Sequence, residues 1–230
     1  MRSLNSQVAA VALLSLLLCF CACKREGGTT STSNQGNGKP QAFADAQSAA
    51  AQSLTAFRQL VNEKNYKELG FESLEEVGTA TLGNPIPVVF VRLDSLRQYQ
   101  TGSDPNALLS SSNQMNYPVM ARDQVRTSVV VEQVDGKWQT ATLGNGALAK
   151  ALAAIRKPAA AGSAGNQESL VHVGALGLYF LAQRADNKWT LTPLTDKPDM
   201  NLKAGAAMPA EEVLGRLTVM AKQLSDDAPM

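Results

Sequence analysis

The sequence predicts an α+β body: an antiparallel sheet of about five strands packed by long N- and C-terminal helices. Three observations carry this expectation. Apolar residues recur every three or four positions near both ends of the chain, as amphipathic helices require. Two stretches, Val125–Leu143 and Gly174–Leu194, each run from an apolar segment through Asp-Gly-Lys-Trp or Asp-Asn-Lys-Trp into an alternating segment. Hydrophobic residues make up 44% of the 230 positions but aromatic residues only 5%, so Leu, Val and Ala must fill the core of one compact domain or two small ones.

The chain opens on a short polar segment carrying Arg2, followed by the apolar run Val8–Ala22. A helix of that length covers roughly 22 Å, short of the ~30 Å hydrocarbon layer, so the run reads as the core of an export signal over residues 1–22. All three cysteines, Cys19, Cys21 and Cys23, lie at its end, so no disulfide can staple the body. Phe20-Cys21-Ala22-Cys23 resembles a bacterial lipobox, with a large apolar and a small residue ahead of the modified cysteine. The resemblance covers the first two dozen residues. It implies a diacylglycerol on the Cys23 thiol, cleavage before Cys23 and acylation of the new amine. Phe20 stands where Leu is usual, and Cys21 where Ala or Ser is usual. Cys21 and Cys19, preceded by the bulky Phe20 and Leu18, fit less well. Several acyl chains on one residue anchor essentially irreversibly. Lys24 at the next position implies, in a Gram-negative envelope, an outer-membrane anchor facing the periplasm. Residues 24–41 contain no large apolar side chain and read, with Cys23, as a flexible tether.

A single domain is expected over 42–225, with 226–230 as a tail. Phe43, Ala46, Ala50, Leu54, Phe57 and Val61 form one stripe of a helix at 42–65. Ser73, with Glu76 three residues on, predicts a capping box that starts a short helix ending at Gly78. Val88–Leu93 reads as a strand behind Pro85 and Pro87, and Asp94 and Ser95 as caps of a short helix carrying Leu96 and Tyr99. The polar stretch 101–116 reads as a loop pinned by Leu108, Leu109 and Met115.

Asp135-Gly136 and Asp186-Asn187 suit two-residue hairpin turns, placing Trp138 and Trp189 at the start of return strands on equivalent faces. The likeness of the two hairpins suggests a duplication, with chance similarity as the alternative. Between them Asn145 caps a helix at 146–157, carrying Leu148, Leu152 and Ile155 and stopped by Pro158. Residues 158–168 read as a mobile connector: a surface loop, or a break between subdomains. Leu170–Leu181 alternates poorly and reads as a central strand. After an irregular 195–208, Pro209 opens a terminal helix buried through Val213, Leu214, Leu217, Met220, Ala221 and Leu224.

Reactive chemistry is sparse. His172 is the one histidine, and it sits inside a strand pattern without HExxH spacing. Ser163 in Ala-Gly-Ser-Ala-Gly lacks the first glycine of a nucleophile elbow. Adjacent carboxylates at Glu75-Glu76, Glu211-Glu212 and Asp226-Asp227 do not face one another on a helix. No catalytic, metal or cofactor residue is assigned. Removal of Arg2 with the signal leaves 20 basic against 20 acidic residues, so no field attracts nucleic acid. The expected function is a non-catalytic envelope lipoprotein that binds a protein, peptide or cell-wall component. The alternatives are an envelope hydrolase with a dispersed site around His172, or an inhibitor inserting a loop such as 101–116.

Overall fold

The computed structural model describes residues 45–109, 113–156 and 167–224, all within one compact unit. The signal, Cys23, the tether, Ser163, most of 158–168 and the tail lie outside them. Among the described residues six α-helices and nine strands form: α1 Ala46–Leu60, α2 Leu74–Thr79, β1 Thr81–Leu82, β2 Ile86–Phe90, α3 Leu93–Gln98, α4 Asn106–Leu109, β3 Gln114–Ala121, β4 Gln124–Val134, β5 Lys137–Leu143, α5 Gly146–Ile155, β6 Gln167–Val173, β7 Leu178–Ala185, β8 Lys188–Pro193, β9 Met208–Pro209 and α6 Ala210–Gln223.

The mixed, mostly antiparallel architecture agrees with expectation; the strand number does not. One sheet of nine strands runs β5-β4-β3-β2-β6-β7-β8-β9, with β1 also pairing β3. It consists of two antiparallel meanders, β2–β5 and β6–β9, joined through their first strands. That join, β2 on β6, is the one parallel pairing, with Val88 opposite Leu170 and Phe90 opposite His172.

Four strands exceed the expectation: β3, the two-residue β1 and β9, and one gained where Leu170–Leu181 divides. In β3, Gln114–Asn116 reads as loop in the sequence, and Pro118 masks the strand signal. Yet Met115, Tyr117, Val119 and Ala121 alternate toward the core. The Pro118 carbonyl accepts from Gly83 N–H at 2.7 Å. In antiparallel geometry its missing N–H therefore faces the same side, where β1 and β2 are interrupted. Proline costs no ladder bond there. Leu170–Leu181 is likewise not one strand. A 3-10 turn at Gly174–Leu176, ended by Gly177 at φ +60°, folds it into β6 and β7. The first of these is central, as expected.

The hairpin turns form at Asp135-Gly136 and Asp186-Asn187, all four residues at positive φ. Trp138 and Trp189 both point to the face that carries α1 and α6. The hairpins nonetheless occupy different ranks, third and fourth strands of one meander against second and third of the other. Their turns lie at opposite ends of the sheet. Their likeness is one of turn chemistry, not of place.

Helix α1 begins at Asp45, whose carboxylate accepts from Ser48 N–H at 2.7 Å, and packs Leu54 and Phe57 on Tyr117, Val119 and Val129. Helix α6 starts directly after Pro209 and buries Val213, Leu214 and Leu217 against Val171, Phe180 and Leu191. Met220 and Leu224 are only half-buried. Strand alternation puts both helices on one sheet face. The opposite face carries α5, whose Leu152 meets Ile86, Val88, Leu170, Leu181 and Leu194. Asn145 caps α5, accepting from Leu148 N–H at 3.1 Å.

The capping box at Ser73 does not form. The Glu76 carboxylate is buried and instead accepts from Glu72 N–H at 2.9 Å and from Arg126 at 2.7 Å. Helix α2 runs through Gly78 to Thr79, and α3 begins at Leu93, ahead of Asp94 and Ser95.

Candidate functional site

The five-residue strand β2 ends its pairing with β3 at Ile86, and β1 resumes at Leu82 opposite Val119. The break at 83–85 opens a cleft between the end of β3 and one side of α5. It has a volume of about 620 Å³, within the usual range for small-ligand sites. Ala149, Leu152, Ala153 and Arg156 line the helix side, one face of α5 at steps of three and four. Pro118, Met120 and Val125 line the sheet side, and Asp123 stands on the rim in the β3–β4 turn.

Asn116 lies in this lining, on the same side of β3 as Pro118 and Met120. It is 1% exposed, and neither its Oδ1 nor its Nδ2 has a hydrogen-bond partner. Each buried orphan group costs about 1–3 kcal/mol. Asn116 is the one residue among the described residues with two such atoms. The sequence offered no hint of it, because asparagine reads as a loop residue until the strand is known.

The charged groups at the cleft are unequal. The Arg156 guanidinium is engaged, donating to Glu168 at 2.9 Å and to the Asn84 carbonyl at 3.0 Å. Asp123 is exposed. Besides these and Asn116, the lining consists of the exposed Asn84, Gly83 and aliphatic side chains.

His172 lies on the α5 side of the sheet, at the far end of β6 from Glu168. Its ring stacks on Tyr179 at 4.2 Å, nearly parallel, and meets the Phe90 edge at 5.1 Å. Burial pushes its pKa below the ordinary 6.5. Its contacts are aromatic, and no carboxylate or serine reaches it within the described hydrogen bonds. The loop at 101–116 is tied down over its first half. Trp189 Nε1 donates to Asn106 Oδ1 at 2.8 Å, and Tyr99 donates its hydroxyl hydrogen to the Ser103 carbonyl at 2.8 Å. The hairpin landmarks Asp135, Gly136, Trp138, Asp186, Asn187 and Trp189 serve folding and do not converge with the cleft. No group of three or more His, Cys, Asp or Glu side chains that could hold a metal ion occurs among the described residues, and none of their helices is long and apolar enough to cross a membrane.

No protein-family model, no curated protein and no solved structure matches this chain.

Proposed function

We propose that this protein is an envelope lipoprotein, anchored through lipid on Cys23, that binds a small ligand without transforming it. The observation that carries the binding half is the Asn116 carboxamide, buried and unpartnered beside an aliphatic cleft. A fold keeps two orphan polar atoms at a cost in stability, and a ligand that satisfies them recovers that cost. The described residues of the cleft bring together no nucleophile, base and orienting group. His172, the best residue of the hydrolase alternative, is held between aromatic rings. The inhibitor alternative needs a free inserting loop, and 101–109 is pinned to Trp189 and Tyr99. The anchoring half rests on the apolar run at 8–22 and the lipobox-like segment that ends it.

Two experiments test the two halves. Cys23→Ala is expected to abolish incorporation of radiolabelled fatty acid and membrane attachment; persisting label would assign another cysteine, and no label on the unaltered protein would refute the anchor. Native mass spectrometry of protein from its own cells is expected to show a small-molecule adduct. Ala153→Trp, which fills the cleft from an exposed helix position, should remove it. An adduct unaffected by the tryptophan, or none in the unaltered protein, removes the cleft as the site.

A further inference from the structure

We infer that the cleft selects ligands by an amide edge, an N–H and a C=O presented side by side. This rests on the reading of the cleft as a ligand site. A carboxamide offers one acceptor oxygen and one donor nitrogen in a single plane. In Asn116 both are unused. A carboxylate ligand brings two acceptors and leaves Oδ1 opposed. An ammonium group can meet Oδ1 but not Nδ2. An amide edge satisfies both atoms at once through two parallel hydrogen bonds.

The surroundings narrow the class. Apart from Asn84 at the exposed edge, the side chains beside Asn116 — Pro118, Met120, Val125, Leu152 and Ala153 — are aliphatic, so the ligand body is aliphatic too; among the described residues no aromatic ring lines the cleft to stack a nucleobase. The Arg156 guanidinium is already bonded to Glu168 and the Asn84 carbonyl. Among the described residues of the lining no uncommitted cation therefore awaits a phosphate or carboxylate, and the exposed Asp123 disfavours one. The ligand is neutral or weakly cationic.

Entry needs movement, because the carboxamide is closed to solvent. Met120, unbranched and flexible, is the lining side chain best able to move. It lies against Gly83, where an added Cβ would stand 3.3 Å from Met120 Cγ.

Two sources present such an edge. One is a ring lactam or cyclic dipeptide, whose cis amide points both groups the same way. The other is a single residue of an extended peptide, whose own N–H and C=O share an edge.

The test uses the full chain, isotope-labelled in detergent micelles. The Asn116 side-chain NH2 signal is assigned by its loss in Asn116→Leu. The probes are δ-valerolactam, its ester analogue δ-valerolactone, cyclo-(glycyl-leucyl) and Nα-acetyl-leucine-N-methylamide. The expected result is that an amide probe shifts the Asn116 signal and binds at least tenfold more tightly than the lactone. Asn116→Leu and Asn116→Asp should each weaken the amide probe at least tenfold. Tighter binding of the cyclic probes assigns a small lactam, and of the open-chain probe an extended peptide. Equal binding of lactam and lactone, or amide binding unchanged in Asn116→Leu, overturns the amide edge while leaving the cleft as a site. If no probe binds and the adduct test also shows nothing, the cleft itself falls.

Discussion

Replacing Asn116 by leucine gives the sharpest check on the structure. Leucine matches the asparagine side chain atom for atom, with two methyl groups where Oδ1 and Nδ2 stand. The substitution removes two buried polar atoms that have no partner. Each costs about 1–3 kcal/mol, and the apolar methyls contribute further by burial beside Ile86, so a gain of at least about 2 kcal/mol is expected. The larger methyls have the cleft to extend into, which limits overpacking. For a body of this size, each kcal/mol moves Tm by about 2–4 °C, so Tm should rise by about 4–8 °C. Chemical denaturation followed through Trp138 and Trp189 fluorescence measures the same gain, as a higher midpoint at constant slope. Stabilisation together with lost ligand binding marks a residue kept for function. An unchanged or lowered midpoint would show that the carboxamide already has partners, and the reasoning behind the cleft would collapse.

Three further outcomes follow from particular contacts. Gly70 has φ +98°, and an added Cβ would stand 2.1 Å from the Arg126 carbonyl oxygen; Gly70→Ala should cost at least about 3 kcal/mol or prevent folding, read by denaturation or soluble yield. For Glu76, burial opposes ionisation, but the Glu72 N–H and Arg126 outweigh it and hold the carboxyl below its ordinary 4.5. Its stabilisation is complete above that ordinary value and is lost as pH falls through the lower folded-state value. Glu76→Gln should therefore cost about 3 kcal/mol at pH 7 and flatten the acid limb of a stability–pH profile; an unchanged limb would assign the acid sensitivity elsewhere. His172, its pKa lowered by burial, is neutral at pH 7. Stability should decline as pH falls below about 6.5, where the unfolded chain takes up the proton first, and His172→Phe should remove that component while keeping the stack on Tyr179.

Local signals in the sequence were enough where chemistry and conformation lie within a few residues. Asn145 with Leu148, Leu152 and Ile155 announces α5. Asp-Gly and Asp-Asn before tryptophan announce both hairpins, and the spacing of Leu54 and Phe57 announces α1. Legibility failed where the deciding partner is distant. Glu76 looks like half of a capping box, but Arg126, fifty positions away, takes its carboxylate. Pro118 argues against a strand until the interruption of β1 and β2 beside it is known. The Gly174–Gly177 turn hides in an apolar run because its residues carry no polar turn chemistry. The cleft was least legible of all. Ala149, Ala153, Pro118 and Asn116 have no common motif, and the isolation of the Asn116 carboxamide exists only once four elements surround it.

The parallel pairing of β2 with β6 has a consequence for the order of assembly. Strands β3–β5 and β6–β8 close through short turns and β2 meets β3 across about 30 residues, whereas Val88 and Leu170 meet across about 80 residues of chain, the costliest closure in the sheet. The two wings are therefore expected to form first and the seam last. Pulsed hydrogen exchange should protect Phe180 and Val129 before the Val91 N–H that donates to the His172 carbonyl at 2.9 Å. Until then Val88, Val89, Leu170 and Val171 form two bare, adhesive strand edges. The stretch of chain most prone to stick to a neighbour is thus the last to be sealed.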